Sequence, residues 1–182
     1  MFRNDPDTWS AAAKLFHWGM ALLIFAQIAL GLLAVSWRLS PTKLDLFVWH
    51  KSTGMLILAL LALRLAWRLS HRVPALPLEM PAWERAGARV SHFLLYTLML
   101  ALPLTGWVIS SASGVPFRIF WTIPLPAVAA PDKGLADQFA TIHGWLVSLL
   151  ALVLVAHIGA ALRHHYVKKD TVLARMLPWS PS

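Results

Sequence analysis

Residues 138–162 read QFATIHGWLVSLLALVLVAHIGAAL, an uncharged and mainly apolar run that lies between Asp137 and Arg163. A helix needs roughly 20 such residues to cross the hydrocarbon core of a bilayer. The run therefore predicts a membrane-spanning helix. It also contains His143 and His157, and ionisable side chains within a membrane span are functional candidates because they are rare there.

Three further apolar runs of similar length precede this one, at residues 15–37, 46–67 and 90–109. Of the 182 residues, 58% are hydrophobic, and the mean hydropathy is +0.63. A soluble domain of this size is less apolar. The sequence therefore predicts an all-α integral membrane protein, a four-helix bundle that forms a single domain over residues 1–182.

The basic residues indicate how the chain is oriented. The net charge is +8, but lysine and arginine cluster at the ends of the apolar runs, so we expect no nucleic-acid partner. The N-terminus (with Arg3), the connection between the second and third runs, and the C-terminus hold eleven of them, against five on the other side. The positive-inside rule then predicts that both termini are cytoplasmic. The absence of cysteine excludes disulfides, cysteine-held iron–sulfur clusters and covalently attached c-type haem.

Four histidines occupy two depths in the predicted helices. His17 lies near the cytoplasmic end of the first helix, and His50 lies near the outer end of the second. His143 and His157 share the fourth helix, about 21 Å apart along its axis and within about 40° on one face. His17 is therefore predicted to meet His157 at an inner level, and His50 to meet His143 at an outer level. Because imidazole pairs serve as axial ligands of haem iron, the pattern predicts two b haems stacked across the bilayer.

Four other residues fit this arrangement. Gly31 and Gly54 lie at the outer level, where a flat porphyrin needs close approach by the backbone. Arg64 faces the inner level and could bind a haem propionate, although it could also extend to the membrane interface. Lys51 could bind a propionate at the outer level.

Two further histidines have open roles. His92 lies near the cytoplasmic end of the third helix and is the main rival to His17 or His157 as an inner ligand. His164 follows His157 by seven residues on nearly the same face. It could relay protons to a bound quinone, because imidazole titrates near neutral pH, or it could simply lie among lipid headgroups.

Several short motifs, in order along nearly the whole chain, match one known family: KLFHW at 14–18, WHKSTG at 49–54, SHFLLY at 91–96, ALP at 101–103, IHG at 142–144 and HHY at 164–166. Together they resemble the bacterial cytochrome b561 family, small four-helix dihaem b proteins of the inner membrane. The resemblance implies haem ligation by His17, His50, His143 and His157.

The resemblance also implies electron transfer with ubiquinone in the bacterial inner membrane. Members of the family are described as superoxide oxidases, which take electrons from superoxide outside and pass them to quinone. The expected function is therefore superoxide:ubiquinone oxidoreductase, with the lipid bilayer, superoxide and ubiquinone as partners. Lys51 and Arg118 on the outer side are candidates for attracting the anion, and His164 completes the candidate catalytic set.

Two alternatives remain open at the level of sequence. The chain could be a cytochrome b membrane anchor that passes electrons between the quinone pool and a protein redox partner, such as a dehydrogenase or hydrogenase. It could also be a haem-free metal or proton transporter that uses the same histidines.

Overall fold

The computed structural model describes residues 8–75 and 80–179; Arg3, which was counted with the cytoplasmic side, lies outside the described residues. In the described part, four helices are long and apolar enough to cross a membrane. They are α1 (Ala11–Ser36), α2 (Pro41–Ser70), α3 (Ala82–Ala112) and α4 (Lys133–Arg163). The four predicted spans are therefore present, one in each helix.

Each helix begins earlier than the apolar run that predicted it, and side-chain capping groups lie at the starts of α1, α2 and α4. The hydroxyl of Ser10 accepts the backbone N–H of Ala13 at the start of α1. Ser40 caps α2 in the same way, and the Asp132 carboxylate accepts the N–H of Leu135 at 3.0 Å at the start of α4. Such side chains satisfy the unpaired N–H groups of the first turn. Hydropathy alone marks only the apolar middle of each helix.

The connection between α3 and α4 contains a small β-hairpin, so the all-α prediction was incomplete. Strands β1 (Phe117–Ile119) and β2 (Ile123–Leu125) pair antiparallel. The turn residues Phe120 and Trp121 both have positive φ, 46° and 61°. Asn-Gly is the usual sequence for such a turn, and bulky residues adopt this conformation at a cost.

Contacts with α2 hold the turn in this strained conformation. The hydroxyl of Ser52, which is fully buried, accepts the backbone N–H of Phe120 at 2.8 Å. The Trp49 ring packs edge-on against Phe120 and Trp121, with ring centres 5.6 and 5.5 Å apart. The hairpin tip is thereby fixed against the turn of α2 that carries His50.

Packing divides the chain into two compact units, and each helix contributes a segment to both. The first unit comprises Met1–Met20, Leu60–Thr97 and Leu150–Ser182, and the second comprises Ala21–Ala59 and Leu98–Leu149.

Each unit has its own buried core. Met20 and Leu61 are almost fully buried in the first unit, and Ala34 and Ile57 in the second. Other large apolar side chains of the helices remain exposed, among them Leu22, Leu152 and Val155. Outward-facing apolar residues on helices of this length are what a lipid environment requires.

Candidate functional site

The four predicted histidines meet as two pairs, one in each unit. In the first unit the ring centres of His17 and His157 lie 6.3 Å apart; we call these two residues the His17 pair. In the second unit those of His50 and His143 lie 6.4 Å apart; these form the His50 pair. An imidazole nitrogen lies about 1.1 Å from its ring centre and binds a metal at about 2 Å, so two imidazoles in line on one metal put their centres roughly 6 Å apart. Both pairs therefore fit a single iron held between two rings.

The four histidines are grouped in pairs. In residues 8–75 and 80–179 no three His, Cys, Asp or Glu side chains gather as a bare metal ion would require. His92 also contacts His157, with ring centres 5.4 Å apart and an angle of 66° between the planes. That separation is shorter than two imidazoles in line on one iron require. His17 is thus better placed than His92 to hold an iron together with His157.

Gln27 of α1 holds His50 from two directions. The His50 Nδ1–H group donates to the backbone carbonyl of Gln27, with 3.2 Å between nitrogen and oxygen. The Gln27 side-chain amide donates in return to the backbone carbonyl of His50 at 2.8 Å. With its proton on Nδ1, the His50 ring has its lone pair on Nε2. The Gln27 amide nitrogen lies 3.5 Å from this atom, and a metal could bind the same lone pair in its place.

Glycines provide the space around the His50 pair. A Cβ atom added to Gly31 would lie 2.8 Å from Cε1 of His50, and one added to Gly54 would lie 3.1 Å from the amide nitrogen of Gln27. A Cβ on Gly106 of α3 would lie 3.7 Å from Cε1 of His143, an ordinary contact. Gly31 therefore contacts the imidazole that the sequence assigned to its level.

Thr105 fixes the other ring of the His50 pair. Its buried hydroxyl donates to the backbone carbonyl of Leu102 at 2.9 Å. The same oxygen lies 2.8 Å from Nδ1 of His143. Because the hydroxyl donates its proton to the carbonyl of Leu102, its oxygen accepts a hydrogen bond from the Nδ1–H of His143. This bond again leaves Nε2 of the imidazole available to a metal.

The His17 pair has different neighbours. A guanidinium nitrogen of Arg64 lies 3.3 Å from Nδ1 of His17, and the guanidinium also lies over the Tyr96 ring at 5.6 Å. Nδ1 of His157 lies 3.4 Å from the hydroxyl of Ser91, a long hydrogen bond. The structure thus places Arg64 beside the imidazole of His17. It shows the contact with the ring, while a contact with a propionate stays a prediction.

Lys51 and Arg118 lie in the second unit but face different surroundings. The Lys51 ammonium donates to the buried hydroxyl of Ser110 at 2.9 Å and lies 5.5 Å from the centre of the Phe117 ring. Arg118 follows Phe117 on β1, and successive side chains of a strand point to opposite faces. Phe117 is buried and Arg118 is exposed. Lys51 of α2 therefore lies against the buried face of the hairpin, whereas Arg118 projects from its exposed face.

Two further cations, Lys43 and Lys133, are less suited to attracting an anion. The Lys43 ammonium donates to the carbonyls of Val35 and Trp37 at the end of α1. Lys133 forms an ion pair with Asp137 at 2.6 Å. Lys51 differs from both because it follows His50 directly in α2.

His164 lies in a buried cluster of charges at the end of α4. It begins a π-helical segment, His164–Lys168, and its Nδ1 bonds to Asp170. Its Nε2 lies 3.7 Å from a carboxylate oxygen of Glu84. Glu84 is itself 7% exposed and binds Arg163 and Lys168. His164 is therefore positioned between two carboxylates, and π-helical turns are frequent at functional sites.

Sequence reasoning missed the partners of the imidazoles: Gln27, Thr105, Ser91 and Gly106. For Gln27 a signal was available, because an amide within the otherwise apolar 15–37 run is unusual. Thr105 and Ser91 carried no such signal, since hydroxyl residues in a membrane helix commonly bond to their own backbone.

A family profile and two relatives that match this chain carry the same family description. The family profile described as prokaryotic cytochrome b561 matches residues 8–179. Cytochrome b561 homolog 2 of Escherichia coli (strain K12) is 34% identical over 100% of this chain and 97% of its own length. Cytochrome b561 homolog 1 of the same organism is 30% identical, over 94% and 98%. The probable superoxide oxidase CybB of Yersinia pestis is 33% identical over 71% of this chain and 73% of its own length.

Proposed function

Because this chain belongs to the prokaryotic cytochrome b561 family, we propose that it is a membrane dihaem b-type cytochrome that transfers electrons from superoxide to ubiquinone. Membership makes it a multi-pass bacterial membrane protein of a haem-binding family. The finer assignment is supported by the relative named a probable superoxide oxidase. We further propose that both termini are cytoplasmic, which puts the His50 pair on the outer side.

The observation that carries the proposal is the spacing of the two histidine pairs. His17 with His157 and His50 with His143 each present two imidazoles at the separation that one iron requires. A bound haem would supply one-electron redox chemistry at its iron. The two histidines of each pair would hold the iron between them, and an iron held in this way would favour electron transfer over oxygen activation. Gly31 keeps the backbone of α1 clear of His50.

Lys51 is the proposed attractor of superoxide. Its ammonium lies beside Ser110 and the Phe117 ring, and no carboxylate in residues 8–75 or 80–179 forms an ion pair with it. A half-buried cation without a counter-ion attracts a small anion more strongly than a fully solvated one. Each superoxide gives up one electron and leaves as O₂.

Two such electrons and two protons convert one ubiquinone to ubiquinol. His164 is the proposed proton carrier, because both of its ring nitrogens face carboxylates, those of Asp170 and Glu84. A proton can enter at one ring nitrogen while another leaves from the second. Under the proposed orientation this cluster lies on the cytoplasmic side.

The function is tested with the purified haem-loaded protein, an enzymatic source of superoxide and a short-chain ubiquinone. We expect one ubiquinol for every two superoxide ions consumed, and loss of ubiquinol formation when superoxide dismutase is added. Ubiquinol formation no greater than that of the dismutase-treated sample would contradict the proposal. Reduction of the haems by a partner dehydrogenase, and not by superoxide, would support the membrane-anchor alternative.

A further inference from the structure

We propose that the Lys51 ammonium and the Ser110 hydroxyl together form a binding site for one small monovalent anion, in which Ser110 is the second hydrogen-bond donor. The site lies in the second unit, where α2, the end of α3 and the β-hairpin meet. Superoxide would be its occupant during turnover, and this part of the inference rests on the proposed function. The same donors would bind an unreactive anion such as chloride.

Ser110 differs from the two other serines at the end of α3 in what its hydroxyl does. Ser111 and Ser113 each donate to the backbone carbonyl four residues earlier, at 3.0 and 2.7 Å, which is the usual bond of a hydroxyl within a helix. Ser110, only 3% exposed, instead accepts a hydrogen bond from Lys51. In the part of the chain that the structure describes, no acceptor takes the Ser110 proton, although buried polar groups are normally paired.

Two donors therefore lie side by side with one positive charge between them. The Lys51 ammonium has three N–H groups, and its bond to the Ser110 oxygen at 2.9 Å uses one of them. Among the described residues, no carboxylate forms an ion pair with Lys51. A half-buried cation next to a buried, undonated hydroxyl proton is a donor set that suits an anion, because hydrogen bonds to a charged acceptor are the strong ones.

The single charge and the apolar wall of the site favour a small monovalent anion. A divalent anion loses more hydration when it enters a partly buried site, and Lys51 alone cannot balance its second charge. The Phe117 ring is 8% exposed and lies 5.5 Å from the ammonium, where it offers no hydrogen bond to the outer oxygens of a larger anion. We therefore expect chloride and superoxide to bind and sulfate to be excluded.

Contacts with α2 on either side of Lys51 hold this wall in place. The Ser52 hydroxyl accepts the backbone N–H of Phe120 at 2.8 Å, and the Trp49 ring packs against the Phe120 ring. Both contacts fix the hairpin that carries Phe117. The turn of α2 that contains His50 thus supplies both the cation of the site and the contacts that fix its wall.

Chloride binding to the purified haem-loaded protein is measured from the line width of the chlorine NMR signal, with sulfate keeping the ionic strength constant. We expect a saturable component of the broadening that Lys51→Gln abolishes. Ser110→Ala should weaken the affinity about tenfold, because a hydrogen bond to a charged acceptor is lost, and Ser110→Thr, which keeps the hydroxyl, should restore it. Ser113→Ala is the matched control, because the exposed Ser113 hydroxyl bonds to its own helix.

The same exchange of sulfate for chloride tests superoxide as the occupant. Chloride should slow haem reduction by superoxide several-fold in the wild-type chain, and less in the Ser110→Ala chain at the same concentration. A wild-type rate that is equal in the two salts would overturn superoxide as the occupant. Absence of saturable chloride binding, or binding that Ser110→Ala leaves unchanged, would overturn the site itself. Failure of the proposed function differs from both, since chloride binding dependent on Lys51 and Ser110 would persist in a protein that forms no ubiquinol from superoxide.

Discussion

Replacing Gly31 by alanine is expected to halve the haem content by emptying the His50 pair. The new methyl group would lie 2.8 Å from Cε1 and 3.1 Å from Nδ1 of His50, closer than carbon atoms in proteins approach. Rotation of the ring away from the methyl group would break the hydrogen bond from its Nδ1–H to the carbonyl of Gln27. Gln27 also binds the backbone carbonyl of His50. The imidazole must therefore leave the position from which it faces His143.

The matched control is Gly19→Ala in the same helix. A Cβ at Gly19 meets no atom within 4 Å, so this chain should keep two haems and gains the same helix propensity. Haem per chain is measured by pyridine haemochrome absorbance against protein concentration. Equal haem content in the two alanine variants would show that Gly31 is not needed to leave space for the His50 ring.

Replacing Lys51 by glutamine is expected to slow oxidation of superoxide at least tenfold, while haem content stays the same. Electrostatic steering toward a charged cleft raises association rates by factors of about 10 to 10³, and Lys51 is the cation that follows His50 directly. Lys51→Arg keeps the charge and should keep most of the rate. Arg118→Gln should have a smaller effect, because Arg118 lies on the exposed face of β1.

Stopped-flow measurement of haem reduction by superoxide, at several ionic strengths, gives the second-order rate constants. The wild-type rate should fall as salt rises, and the Lys51→Gln rate should depend less on salt. The control is the double variant Lys133→Gln with Asp137→Asn, which removes an exposed ion pair without changing the net charge. A wild-type rate that is independent of both salt and Lys51 would exclude steering by this residue.

Much of the candidate site could be predicted from the sequence because helices are regular. A rise of about 1.5 Å and a turn of about 100° per residue allowed spacing alone to bring His143 to His50 and His157 to His17. The same regularity brought Gly31 to His50. Each of these contacts was predicted from position along an axis, with no knowledge of how the helices pack.

The contacts that spacing could not supply depend on how each helix is rotated about its axis. Thr105 faces His143, and Ser91 faces His157, only because of the way α3 packs against α4 in each unit. The sequence gives depth along a helix but not this rotation.

The hairpin was missed for a separate physical reason. Its turn places Phe120 and Trp121 at positive φ, where local preference favours glycine or asparagine. Contacts from Ser52 and Trp49 of α2 outweigh that preference. No local signal in FRIFWTIPL at 117–125 predicts contacts made with a helix more than 60 residues earlier.

The most direct measurement is haem stoichiometry in chains with histidines replaced by alanine, singly and in pairs. We expect two haems per wild-type chain and one in each of the four single variants. We also expect one haem when His17 and His157 are replaced together, and none when His17 and His50 are. Colourless wild-type protein, or full loading after His143 or His157 is replaced, would contradict the assignment of two haems held between histidine pairs.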